Sequence, residues 1–101
     1  MRAVRKEENV SKFVMFHGRE CPHCRKMMPL VEKLEKDTGL AFDKKEVWHS
    51  EENANLMRSL KEIIYAKCGG ELKVPTFYNT ETKDVICGEM EYEALKAWTA
   101  Q

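Results

Sequence analysis

The chain has 101 residues, of which 43% are hydrophobic and 34% charged, with Lys+Arg and Asp+Glu at 17 each. That length suits one domain with a small core and leaves nothing for a second. A formal net charge of zero argues against a phosphate-binding surface, so no nucleic acid partner is expected. Unbroken apolar runs such as residues 13–16 fall far short of the roughly 20 residues of a membrane span. The opening Met1-Arg2-Ala3-Val4-Arg5-Lys6-Glu7-Glu8 is charged and has no apolar segment, so a signal peptide is not expected. The expectation is a cytoplasmic monomer.

In chain order, residues 1–11 are polar and read as an arm or short terminal element ahead of a single domain over 12–101. Lys12-Phe13-Val14-Met15-Phe16-His17 is β-rich and apolar, which suits a buried strand. Gly18-Arg19-Glu20 turns the chain. From Cys21 to about Asp37, Met27, Leu30, Val31 and Leu34 recur at helical spacing, and Gly39 supplies a stop. Residues 42–48 read as a second strand. Ser50 is a plausible N-cap for a helix presenting Leu56, Leu60, Ile63 and Ile64 on one face, which Cys68-Gly69-Gly70 breaks. Residues 74–78 and 84–87 read as strands joined by a hairpin connection. A last helix, about 90–99, offers Leu95 and Trp98 to the core. The order β-α-β-α-β-β-α predicts an α/β domain: a small mixed sheet, with a parallel crossover and helices on both faces.

The four cysteines carry the chemistry. Cys21 and Cys24 stand where a strand ends and a helix begins. Unpaired backbone N–H groups and the helix dipole stabilise a thiolate there and make it more reactive. Two intervening residues in one helical turn bring the sulfurs within disulfide reach. Pro22 fits an early helical position because its missing N–H is not needed. A protonated His23 favours the thiolate further, as do Arg25 and Lys26, whereas Glu20 opposes it. The reading that follows makes Cys21 the exposed nucleophile and Cys24 the thiol that resolves the mixed disulfide. No bound cofactor is expected beyond a redox-active Cys21–Cys24 disulfide. The alternative is a metal- or cluster-binding module, for which Cys21 and Cys24 need further ligands from Cys68, Cys87, His17 or His49.

Three features make the chain resemble the thioredoxin superfamily. These are Phe13-Val14-Met15-Phe16 running into Cys21-Pro22-His23-Cys24, the helix-interior Pro29, and Val74-Pro75-Thr76-Phe77; Gly88 after the last strand adds to them. The resemblance implies the thioredoxin fold and thiol–disulfide exchange on protein disulfides, with a reductase or glutathione as the other partner. It also implies a cis Pro75 near the two sulfurs and a substrate segment pairing with the backbone of Val74. Pro22, Val74, Pro75 and Thr76 then form the substrate-binding set. The departures bear on subtype. Met15 stands where thioredoxins carry a buried acid, so water or another group must take the proton of Cys24. Glu20 replaces the usual Trp. Pro22-His23 is similar to the dipeptide of the bacterial periplasmic disulfide oxidant, while Pro22 alone also resembles glutaredoxins. Cys87-Gly88-Glu89 lacks their double-glycine glutathione contact, and Gly69-Gly70 lies in the wrong place to supply it. The chain is thus open to a thioredoxin-like or a glutathione-dependent reading.

Among the remaining candidates, Cys87 reads as a small buried hydrophobe and Cys68 as an exposed, potentially regulatory thiol. A bond between them requires neighbouring Cα atoms. His17 reads as a sheet-end or packing residue rather than a proton relay to Cys24, and His49 as part of a helix-entry loop. Met27-Met28 reads as core and groove lining. An exposed apolar surface beside the motif would suit a peptide or unfolded-chain substrate.

Overall fold

The computed structural model describes residues 12–100, so the arm expected over 1–11 lies outside them. The described elements are β1 (Phe13–His17), α1 (Pro22–Thr38), β2 (Phe42–Glu46), α2 (Glu51–Ser59), α3 (Lys61–Cys68), β3 (Thr76–Asn79), β4 (Val85–Cys87) and α4 (Tyr92–Thr99). The four strands form one mixed sheet in the order β2-β1-β3-β4. β1 runs parallel to β2 and antiparallel to β3, and β3 pairs antiparallel with β4. The parallel crossover therefore holds for β1-α1-β2, and the last two strands form the expected hairpin.

Alternation along β1 decides the layers, because successive side chains of a strand point to opposite faces. Phe13 and Met15 join a core with Met27, Val31 and Leu34 of α1 and Leu95 of α4. Val14 and Phe16 join a second core with Met57 of α2 and Ile64 and Cys68 of α3. Helices thus cover both faces, as expected. Trp98 packs against the first core, with its ring 5.4 Å from that of Phe13.

Three boundaries move for identifiable reasons. The helix expected after Ser50 is two helices, because Leu60 leaves helical geometry at φ −104° and ψ 13°. The break also changes the inward face: Leu56 is 40% exposed and Met57 takes the core position. Ser50 does cap α2, its hydroxyl accepting the Asn53 N–H at 3.2 Å. β2 stops at Glu46 because that residue's carboxylate captures the N–H groups of Trp48 and His49. β3 starts at Thr76 because Pro75 has no N–H to give to a ladder. Gly39 ends α1 in the left-handed region at φ 79°, as its position predicts.

The reading of Cys68 as an exposed thiol and of Cys87 as a lone hydrophobe is corrected. The two are disulfide-bonded, with Cα atoms 6.1 Å apart and a sequence separation of 19. Cys68 is buried at the end of α3, and Cys87 ends β4, so the bond ties that helix to the sheet edge. Closing a loop of this length restricts the unfolded chain, and the double variant C68A/C87A is expected to lose about 3 kcal/mol. Urea unfolding of the two proteins measures that difference.

Candidate functional site

The register places the site at one end of the sheet. His17 pairs with Glu46 and Phe16 with Thr76, so β1 and β2 leave the sheet where β3 enters it. The segments 18–21, 47–50 and 70–75 therefore meet at that end.

The first segment is a tight turn in which the Cys21 N–H donates to the Gly18 carbonyl at 3.0 Å. Cys21 is the N-cap of α1 in extended geometry, and Pro22 follows as its first residue. The helix runs on for 17 residues through Pro29. Both thiols are free. The Cys21 S–H donates to the Val74 carbonyl at 3.8 Å, and the Gly18 N–H donates to Cys24 Sγ at 3.4 Å. The Val74–Pro75 peptide bond is cis. Its loop is held by two bonds: the Gly88 N–H donates to the Pro75 carbonyl at 2.8 Å, and the Thr76 hydroxyl donates to the Lys73 carbonyl.

The two sulfurs lie in different surroundings. Cys21, expected as an exposed nucleophile, is only 4% exposed, because the Val74 loop covers it. It lies on the floor of an open groove of about 390 Å³ whose walls include Trp48, Met57, Arg58, Leu72, Lys73 and Val74. Cys24 is 1% exposed and lines a separate cleft behind α1. Burial pushes its thiol up to about 12, against the pull of the Gly18 N–H. Met15 is fully buried and apolar, so it cannot take a proton from that thiol.

The charged neighbours are paired away from the sulfurs. His23 is exposed, and its Nδ1 lies 3.1 Å from Glu89 Oε2, an oxygen that Lys26 also approaches at 3.7 Å. His49 Nε2 meets Glu20 at 2.7 Å, and this hydrogen bond holds the Glu20 carboxyl below its usual range. Burial works against ionisation of Glu46, yet the N–H groups of Arg19, Trp48 and His49 hold its carboxyl below the usual range. Thr76, expected in the substrate-binding set, is fully buried with its hydroxyl on Lys73. Pro22 is exposed beside Cys21, and Pro75 is buried next to Val74.

Two residues of this region carry no motif. Glu46 joins the loop before Cys21 to the loop after β2, and nothing in a charged strand end marks that task. Trp48 is 52% exposed and shields the turn at Gly18. A large aromatic residue in the polar run Glu46-Val47-Trp48-His49-Ser50 is the signal that could have found it.

Two outcomes follow. A β-carbon at Gly18 would collide with the Trp48 ring, so G18A is expected to swing that ring outward. Tryptophan fluorescence reads this as a red shift, with Trp98 as the unchanged reference. For Cys24, the ordinary thiol value is 9.0, and the fold favours the neutral form. The stabilisation is complete below pH 9 and is lost as the pH rises toward 12. The urea midpoint of the reduced protein is expected to fall more steeply over that range than that of C24S.

No protein-family model and no curated protein matches the chain. Solved structures do. A glutaredoxin from Archaeoglobus fulgidus is 19% identical with a TM-score of 0.61, over 93% of this chain and 91% of that one. A thioredoxin mutant from Halobacterium salinarum is 26% identical with a TM-score of 0.63, over 87% and 72%. Fasciola hepatica thioredoxin is 24% identical with a TM-score of 0.63, over 97% and 88%. Together with the sheet order and the cysteine pair that opens α1, these likenesses show that the chain has the thioredoxin fold, a setting that supports a redox role.

Proposed function

We propose that the chain is a thiol–disulfide oxidoreductase that reduces or exchanges protein disulfides. One observation carries the reading: two free thiols open a long helix, one of them on the floor of a groove against the Val74 carbonyl. Cys21 caps the N-terminus of α1 and acts as the nucleophile in its thiolate form. That thiolate attacks one sulfur of a substrate disulfide, and the other substrate sulfur leaves as a thiolate that takes a proton from water. Cys24 then loses its proton and attacks the Cys21 sulfur of the mixed disulfide. The second substrate sulfur departs, a Cys21–Cys24 disulfide forms, and two electrons have passed to the substrate. A reductase or glutathione returns them.

The groove supports an extended peptide as substrate, with apolar contacts from Trp48, Met57 and Leu72 and cationic ones from Arg58 and Lys73. Val74 lines it and, with the adjoining Pro75, positions the segment, while Pro22 stands exposed next to Cys21. His23, assigned to tune the nucleophile, is paired with Glu89 at the exposed start of α1. The proposal includes a monomer without a bound cofactor. Among the described residues, no helix is long and apolar enough to cross a membrane. The Cys68–Cys87 bond weighs against the cytoplasmic setting read from the sequence, because structural disulfides persist mainly in oxidising compartments. Compartment then sets the net direction. The metal-binding alternative is not favoured, since Cys68 and Cys87 are bonded to each other and, among the described residues, no group of three possible ligands includes Cys21 or Cys24.

In a disulfide-reduction assay C21S is expected to lose turnover, while C24S accumulates mixed disulfides detectable by mass. Full turnover in C21S would overturn this function. The same assay with glutathione as sole reductant separates a glutaredoxin-like activity from a thioredoxin-like one.

A further inference from the structure

The exchange reading leaves one chemical gap. Cys24 must lose a proton before it can attack, its burial opposes that loss, and the side chain at position 15 is a methionine. The cleft behind α1 supplies what is missing. It has a volume of about 320 Å³, and His17, Arg19, Cys24, Arg25, Met28 and Glu32 are among its walls. That space accommodates several waters between polar groups.

The backbone of His17 is held near the sulfur by covalent necessity. The Gly18 N–H lies 3.4 Å from Cys24 Sγ, and the Cα of His17 is two bonds from that nitrogen. Standard backbone lengths therefore keep this Cα within about 6 Å of the sulfur. The other base on the cleft, Glu32, is exposed and eight residues further along α1, a rise of about 12 Å. Arg19 and Arg25 are cations and accept no proton; the Arg25 Nε instead donates to the Arg19 carbonyl at 3.3 Å.

We propose that His17 accepts the proton of Cys24, through water held in this cleft, when Cys24 resolves the mixed disulfide. The step rests on the function proposed above. The Cys24 S–H proton passes to the imidazole, and the Cys24 sulfur bonds to Cys21 as the Cys21–substrate bond breaks. The departing substrate thiolate or solvent then takes the proton from the imidazolium. Partial burial and Lys44 favour the neutral imidazole, and Glu46 works the other way, with the net direction toward neutral. A neutral imidazole at neutral pH is a base ready to act. The sequence reading weighed packing against a proton relay to Cys24 and took packing; the cleft that His17 shares with Cys24 is the ground for proposing the relay.

The test is stopped-flow absorbance with the reduced protein in excess over 5,5′-dithiobis(2-nitrobenzoate). Attack by Cys21 releases the first thionitrobenzoate, and resolution by Cys24 releases the second. In H17Q the second release is expected to slow at pH 7 by roughly a hundredfold, the low end of general-base effects, with the first unchanged. Added imidazole should restore part of the rate. The second-release pH profile of the unaltered protein should show a group titrating below pH 6.5 that H17Q lacks. H17N provides a second variant of different size and should behave alike. Second release in both variants at the unaltered rate and pH profile would overturn the proposal. Slowing confined to E32Q would overturn it in favour of the carboxylate. Absence of the first release from the unaltered protein, or its persistence in C21S, would instead overturn the exchange function itself.

Discussion

Strand β1 is buried on both faces, and that constraint organises the molecule. Phe13, Met15 and Phe16 are fully buried and Val14 nearly so. Each such side chain stabilises the fold by about 1.5–3 kcal/mol only if apolar partners lie on its own side of the sheet. A strand of this kind must sit inside the sheet with helices above and below it. That is where β1 lies, between β2 and β3, with α1 and α4 on one side and α2 and α3 on the other. The turn that follows it, and the cysteine pair beyond, hang from the most firmly packed element of the chain.

Polar bonds then hold the irregular segments at that end of the sheet. Glu46 gathers three backbone N–H groups from two loops, Gly88 binds the Pro75 carbonyl, and Thr76 binds the Lys73 carbonyl. The disulfide between Cys68 and Cys87 closes the same region, since Thr76 faces Cys87 across the hairpin. The result is asymmetry between two thiols only three residues apart. One lies beneath a peptide-sized groove, and the other faces a cleft with a histidine. Such an asymmetry suits a nucleophile and a resolving thiol with different demands on their protons.

Much of this was legible in the residues. The unbroken apolar run over residues 13–16 marked a buried strand, and Pro22 and Gly39 bracketed α1 because their constraints act within one turn. Ser50 announced the start of α2 for the same reason. The split at Leu60 was not legible, because apolar spacing across 56–64 fits one continuous helix, and the backbone turns where packing onto the sheet requires it.

Sequence alone determined the order of most elements, the two-faced core and the place of Cys21 and Cys24 at a helix start. These follow from periodicity and from backbone preferences, which are properties of neighbouring residues. Tertiary structure alone decided that Cys68 meets Cys87, that Glu46 binds the loop before Cys21, and that Cys21 is covered by the Val74 loop. It also set His17 on the cleft of Cys24. Each of these joins residues from different elements, and their distances depend on how strands register and loops close, which local chain preferences do not encode.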